Sequence, residues 1–164
     1  TVTLVTTSKD LEALTMVVVA EFDAGVEQVW QLWADPRKLE RWWGPPTYPA
    51  TMVEHDLSPG GKVSYFMTSP EGEQYHGWWL ITTVEAPHRL TFEDGFADGE
   101  GTPNAAMPVT ITEVQLADDG SGTTMTIETH FPSLEAMQQL TQMGMEEGLT
   151  LAVGQMDALL ADIT

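Results

Sequence analysis

The chain has 164 residues, of which 25 are Asp or Glu and 6 are Lys or Arg, so its formal net charge is −19. A field of this sign repels nucleic-acid phosphates and anionic lipids, which argues against binding to either. The sequence has no cysteine, which excludes disulfides, thiolate metal sites and cysteine nucleophiles. The longest apolar run, Met16 to Ala20, is far too short to cross a bilayer. We therefore expect a cytoplasmic protein without membrane insertion.

The length fits one domain with a substantial core, and the hydrophobic content of 42% is ordinary for a globular protein. Residues 1–14 are polar and predict a loose N-terminal lead-in, which leaves a single domain over residues 15–164. A run of β-branched residues from Met16 to Phe22 predicts the first strand of that domain.

Two short helices are predicted after this strand. Asp23 is a candidate cap for the first, and apolar residues follow it at helical spacing: Val26, Val29, Trp30 and Trp33. Asp35-Pro36 ends that helix and starts the second, because proline suits a first helical turn. The second helix runs through Trp42 and stops before Gly44-Pro45-Pro46.

The pattern then changes to alternation between apolar and polar residues, which predicts a series of strands. These are residues 50–56, 63–67, 75–84, 89–93, 109–116 and 123–131. The stretch from Asp94 to Met107 is rich in Gly, Pro and acidic residues, so it predicts a long loop.

Apolar residues recur at three- and four-residue spacing from Leu134 to Ile163, which predicts one amphipathic helix about 45 Å long. Gly144 and Gly148 lie one turn apart in it, and each costs about 1 kcal/mol relative to alanine. Close approach of the helix to the sheet is the slightly favoured explanation, and space for a ligand is the other. Strands followed by one late helix indicate an α+β fold.

This order resembles that of the START-like (SRPBCC, helix-grip) superfamily. Within it, the chain resembles the family named for the C-terminal half of the activator of the heat-shock-chaperone ATPase. Five stretches carry the likeness, namely residues 21–30, Trp42-Trp43-Gly44-Pro45, residues 56–61 with Tyr65, Tyr75-His76-Gly77 and residues 143–148. The resemblance implies a curved antiparallel sheet wrapped around a long C-terminal helix. One departure is Gly25, where the family often has a proline.

Superfamily members outside this family bind lipids, sterols, hormones or polyketides, and some cyclise polyketides. A cavity between sheet and helix is therefore expected, and its candidate lining residues are aromatic, Met or Leu side chains. They are Trp43, Tyr65, Trp79, Phe92, Phe96, Met137, Met145 and Leu149. An ordinary packed core would use the same residues. One of Trp42 and Trp43 is expected to plug the core and the other to form a lid, with the loop carrying Phe96 as the opposing lid.

No catalytic residue, metal ligand or cofactor is predicted. The four histidines, His55, His76, His88 and His130, lack metal-binding spacing. His76 is the best single acid–base candidate, but the resemblance favours Trp79 facing the cavity, which places His76 on the outer face. There is no Gly-x-Ser-x-Gly elbow, and Gly60-Gly61 lacks a phosphate-loop continuation. We favour a protein that is not an enzyme.

Three hypotheses of function remain. The first is a non-catalytic protein that binds a small hydrophobic or aromatic molecule. The second is a chaperone co-factor or a regulatory interaction module that uses the acidic surface. Chaperone binding itself is disfavoured, because nothing in the 164 residues corresponds to the activator's N-terminal clamp domain. The third is an enzyme similar to polyketide cyclases or to hydrolases, with a His, Tyr or carboxylate in the pocket. A homodimer is compatible with all three.

Overall fold

The computed structural model of the protein describes residues 4–163. These residues form eight strands and five helices. The strands are β1 (Leu4–Asp10), β2 (Thr15–Phe22), β3 (Ala50–His55), β4 (Lys62–Thr68), β5 (Gln74–Glu85), β6 (Arg89–Ala97), β7 (Thr110–Asp118) and β8 (Thr123–His130). The helices are α1 (Val26–Ala34), α2 (Pro36–Trp43), α3 (Leu134–Gln142), α4 (Met145–Gly154) and α5 (Met156–Ile163). The predicted α+β, helix-grip fold is confirmed.

The strands form one antiparallel sheet in the order β1-β2-β8-β7-β6-β5-β4-β3. Pairing of β2 with β8 joins the start of the domain to its last strand, and the remaining strands follow by successive hairpins. Buried residues alternate with less buried ones in most strands, most regularly in β8, where positions 123, 125, 127 and 129 are all buried. One face of the curved sheet therefore carries the core, and the helices cover it.

The N-terminal lead-in was predicted wrongly for residues 4–10, which form the edge strand β1. It pairs with β2 from Leu4 opposite Glu21 to Asp10 opposite Thr15. A polar, lysine-containing segment suits this position, because an edge strand needs a partner on one side only and charged residues there discourage further pairing. Residues 1–3 lie outside the described part of the chain.

The predicted loop from Asp94 to Met107 was wrong at its start, because β6 continues to Ala97. Asp94 lies opposite Trp79 of β5 and opposite Thr110 of β7, so two neighbouring strands hold it in the sheet. Gly95 fits because the indole of Trp78 covers it, and a Cβ there would lie 2.6 Å from that ring. Pairing on both sides outweighs the turn-like composition of this stretch.

The two short helices lie as predicted, and Asp35 connects them. Its Oδ1 accepts a hydrogen bond of 2.9 Å from the backbone N–H of Arg37, which caps α2, and Pro36 occupies the first turn. The cap of α1 is Gly25 rather than the predicted Asp23. In place of a side-chain cap, the backbone N–H of Gly25 donates to Oε1 of Gln28 at 3.2 Å.

The C-terminal residues are helical as predicted, but the helix is divided into three segments. Gly144, between α3 and α4, has φ +89°, a left-handed conformation that interrupts the helix. A Cβ added at Gly148, within α4, would lie 3.6 Å from its nearest neighbour, Cγ of Pro45, which is an ordinary contact distance. Close approach of helix to sheet, the favoured explanation of these glycines, is therefore wrong for both. Gly144 allows the left-handed backbone conformation between α3 and α4, and Gly148 leaves space that a larger side chain would fill.

Substitution of the two glycines at the ends of α4 is expected to change stability in opposite directions. Gly144→Ala should lower the free energy of unfolding by about 1–2 kcal/mol, because an L-residue is strained at positive φ. Gly154→Ala should raise it by up to about 1 kcal/mol, because Gly154 is helical and an added Cβ meets open space. Urea unfolding of both variants measures this, and changes of the same sign would contradict the backbone role of Gly144.

Candidate ligand-binding site

A cavity of about 280 Å³ lies between the concave face of the sheet and the junction of α3 with α4. Strands β4 to β8 form its floor, and Trp43 and Pro45 close one end after α2. The helical wall is formed by Leu140, Met143, Gly144, Met145, Gly148 and Leu149. Its rim lies near Tyr75 and Met143, whose side chains are 52% and 54% exposed.

Five of the eight predicted residues line this cavity, and they are Trp43, Tyr65, Phe96, Met145 and Leu149. The other three were predicted wrongly, because they belong to the packed core. Trp79 stacks on Phe92 with ring centroids 4.1 Å apart and an interplanar angle of 16°. Met137, on the buried side of α3, packs with Met16 and Phe131. These three side chains contact packed neighbours instead of open volume.

The two adjacent tryptophans have different environments. Trp42 is fully buried, and its indole N–H donates to the carbonyl oxygen of Leu32 at 2.8 Å, so it plugs the core. Trp43 reaches the cavity and makes edge-to-face contacts with Trp79 at 4.9 Å and with Tyr65 at 6.1 Å. The aromatic wall is thus held by contacts between buried rings rather than by a loop.

Tyr65 covers Gly77 on the neighbouring strand. The two residues lie opposite each other, and a Cβ at Gly77 would be 2.5 Å from the phenol carbon and oxygen of Tyr65. Gly77 therefore admits the ring to the cavity floor. Burial, and next the negative charge of Asp94, raise the pKa of Tyr65 well above its usual range, so the hydroxyl stays protonated.

Two indole N–H groups near this hydroxyl are left without partners. Those of Trp43 and Trp79 are buried and form no hydrogen bond of normal geometry within the described residues. Both nevertheless act on Tyr65, because they partly oppose the rise in its pKa.

Asp94 is the residue that the sequence analysis missed. It follows Leu90 and Phe92 at period two on β6 and lines the cavity with Phe96. Among residues 4–163, no hydrogen bond or ion pair reaches its carboxylate. Burial raises its pKa to about 7, so this group gains or loses a proton near neutral pH. The alternation of β6 continues through Asp94, which was the available signal.

Threonine hydroxyls supply further polar lining. Thr110, Thr112 and Thr129 are buried on β7 and β8 and face the cavity. No Lys or Arg of the described residues lines it. His76 lies at its edge, but its ring contacts Phe66 at 5.5 Å on the outer face of the sheet, the side that the family resemblance favoured for it. Within residues 4–163, no three His, Asp or Glu side chains form a cluster that could hold a metal ion.

A curved antiparallel sheet, helices across its concave face and a cavity between them define a protein of the helix-grip class. Residues 23–161 match the family model of the "Activator of Hsp90 ATPase homolog 1-like protein", and the chain belongs to that family. No curated protein matches the sequence. No helix of the described residues has the length and apolar character needed to cross a membrane.

Solved structures give the same fold. A protein from Arthrobacter aurescens is 51% identical, with a TM-score of 0.92 over 96% of this chain and 91% of that one. A protein from Mycobacterium smegmatis is 49% identical, with a TM-score of 0.89 over 96% and 97% of the two chains. The AHSA1 protein from Silicibacter pomeroyi, 21% identical, has a TM-score of 0.74 over 92% and 99% and supports the fold alone.

Proposed function

We propose that this protein binds a small, largely apolar molecule in the cavity between the sheet and the α3–α4 junction, without catalysing a reaction on it. The observation that carries this proposal is the cavity itself. It has about 280 Å³ of space beside a core in which Trp79 and Phe92 are fully buried. Protein interiors rarely leave such volume empty, because close packing stabilises them.

The lining suits a ligand of this kind. Ligand pockets commonly measure roughly 300–1,000 Å³ and combine apolar walls with few polar groups. The volume of this cavity lies near the lower end of that range, which indicates a ligand the size of a single ring or of two fused rings. The unbranched side chains of Met67, Met143 and Met145 can adapt to its shape.

A matched pair of substitutions in α4 tests the proposal. Gly148→Met would place a side chain at the cavity, whereas Gly154→Met would place the same side chain in open space on the same helix. The probe is 1-naphthylmethanol, a neutral aromatic alcohol, and binding is followed by chemical-shift changes of the tryptophan indole N–H signals. We expect the probe to shift Trp43 and not Trp42 in the unsubstituted protein.

Gly148→Met should weaken probe binding by about tenfold or more, because it fills the space that the ligand needs. Gly154→Met should leave binding unchanged. Native mass spectrometry of gently purified protein should also detect a bound small molecule in the Gly154→Met variant and not in the Gly148→Met variant. Absence of probe binding together with absence of any co-purifying molecule would refute the proposal, as would equal binding by the two variants.

One observation favours the enzyme as a second candidate. A carboxyl group with a pKa of about 7, in a cavity that also holds the Tyr65 hydroxyl, is suited to general acid–base chemistry. Such an enzyme would use Asp94 rather than His76, the candidate named from the sequence. The interaction module, the homodimer and the cytoplasmic location remain predictions.

A further inference from the structure

We propose that the ligand is an amphiphilic amine, whose apolar body fills the cavity and whose ammonium group lies against the carboxylate of Asp94. This inference rests on the proposed function, because it names the chemical class bound at the same site. It follows from one unpaired acid, the absence of Lys and Arg from the described lining, and the aromatic rings that line the same cavity.

The unpaired carboxylate is the first step. A carboxylate taken out of water is costly unless a cation or several donors compensate it. Asp94 has neither among the described residues, yet it stands on a central strand with its side chain on the cavity face. Its neighbours across the ladders, Trp79 and Thr110, supply no charge. A cationic group on the ligand would complete this site.

The second step excludes anions. No Lys or Arg of the described residues lines the cavity, and the chain carries a net charge of −19. A carboxylate, sulfate or phosphate on the ligand would meet Asp94 without compensation. The same long-range field attracts a cation to the cavity mouth and raises its rate of association.

Aromatic rings supply the third step. Trp43, Tyr65 and Phe96 line the cavity together with Asp94. Indole, phenol and phenyl faces attract a cation within about 6 Å of the ring centre, and the interaction strengthens when the cation is desolvated. A carboxylate and aromatic rings in one cavity favour an ammonium group over a neutral polar group. The neutral group would gain neither the attraction to the carboxylate nor the attraction to the rings.

Three probes of one shape test the inference: 1-naphthylmethylamine, 1-naphthylmethanol and 1-naphthoic acid, which are cationic, neutral and anionic at pH 7.5. Isothermal titration calorimetry of the unsubstituted protein should give the tightest binding for the amine, about tenfold tighter than for the alcohol. The acid should not bind. Asp94→Asn should remove the preference for the amine and change binding of the alcohol by less than about threefold.

The pH dependence adds an independent readout. Besides Asp94, the titratable residues at the cavity are Tyr65, Tyr75 and His76. An amine requires ionised Asp94, so its affinity should rise from pH 5 to pH 8, by up to about 100-fold for a group that titrates near 7. The alcohol should show no such rise. His76→Gln is the control that removes the histidine, and it should keep the rise.

The outcomes separate the two proposals. If none of the three probes binds and no small molecule co-purifies, the proposed function fails and this inference fails with it. If the alcohol binds as tightly as the amine, or the acid binds, the cavity is a ligand site but the amine assignment is overturned. An amine preference that persists in Asp94→Asn would also overturn it. Tight amine binding that requires Asp94 supports both.

Discussion

Replacement of Trp79 with alanine is expected to lower the free energy of unfolding by about 3–5 kcal/mol. Trp79 is fully buried, stacks on Phe92 at 4.1 Å and makes an edge-to-face contact with Trp43 at 4.9 Å. Its loss removes a large transfer free energy and opens a void beside the existing cavity. The aromatic cluster that positions Trp43 and Tyr65 would relax into that void, so probe binding should weaken as well.

Trp78→Ala is the matched control, because Trp78 lies next to Trp79 on β5 but faces the outside of the sheet. It is half-buried, covers Gly95, and its indole N–H donates to the carbonyl oxygen of Phe96 at 3.0 Å. Its substitution should cost about 1–2 kcal/mol. Thermal and urea unfolding of both variants give the comparison. Equal losses would show that the predicted inward face of β5 does not carry the core.

The fold could be predicted because its signals are local and repeated. Alternation along β5 placed Trp79 and His76 on opposite faces, since a strand turns successive side chains to opposite sides, and the family resemblance then favoured Trp79 as the inward residue. Asp35-Pro36 correctly divided two short helices, since an aspartate cap and a proline in the first turn act within one turn. Such features need no knowledge of distant parts of the chain.

The errors came from long-range pairing. Composition predicted a loop at Asp94–Ala97 and a loose segment at residues 4–10, yet both are strands because a neighbouring strand offers its backbone groups. Sheet propensity depends on such context more than helix propensity does. This error mattered for the candidate site, because it hid Asp94, the one Asp, Glu, Lys or Arg that the described residues contribute to the cavity lining.

The division between cavity and core could not be predicted either. Trp43 and Trp79 are the same residue type in the same cluster, but one meets empty space and the other is enclosed. That difference depends on how completely the neighbours fill the volume, to within less than a side chain. Gly144 shows the same limit, since helical spacing continues through it while its φ of +89° breaks the helix.

The second large effect is expected from Asp94→Asn, which should stabilise the protein increasingly as pH rises from 5 to 8. Burial raises the pKa of Asp94 to about 7 from an ordinary value of 3.8, so the folded state holds a proton that the unfolded chain releases. The stabilisation that comes from this extra proton of the folded state is fully present below pH 3.8 and is lost as pH rises through 7. Asparagine cannot ionise, so the variant avoids the loss.

The gain of the variant over the unsubstituted protein should grow by at most about 3 kcal/mol between pH 5 and pH 8. Water in the cavity reduces this value. Urea unfolding of both proteins at each pH measures the difference, which cancels the effect of the other acidic groups. A saturating amine probe should reduce the gain at pH 8, because the bound cation compensates the carboxylate of the unsubstituted protein alone.

Asp119→Asn is the control of opposite sign. Asp119 is exposed in the β7–β8 turn, where the backbone N–H of Ser121 and the hydroxyl of Thr124 hold its pKa below the ordinary value. Its stabilisation is present above the ordinary pKa and is lost only as pH falls through the lowered one, so from pH 5 to 8 the variant should be less stable by a constant amount. If Asp94→Asn were also less stable by a constant amount from pH 5 to 8, the carboxylate of Asp94 in the unsubstituted protein would be compensated by the folded chain. The cavity would then have no charge left for a ligand to neutralise.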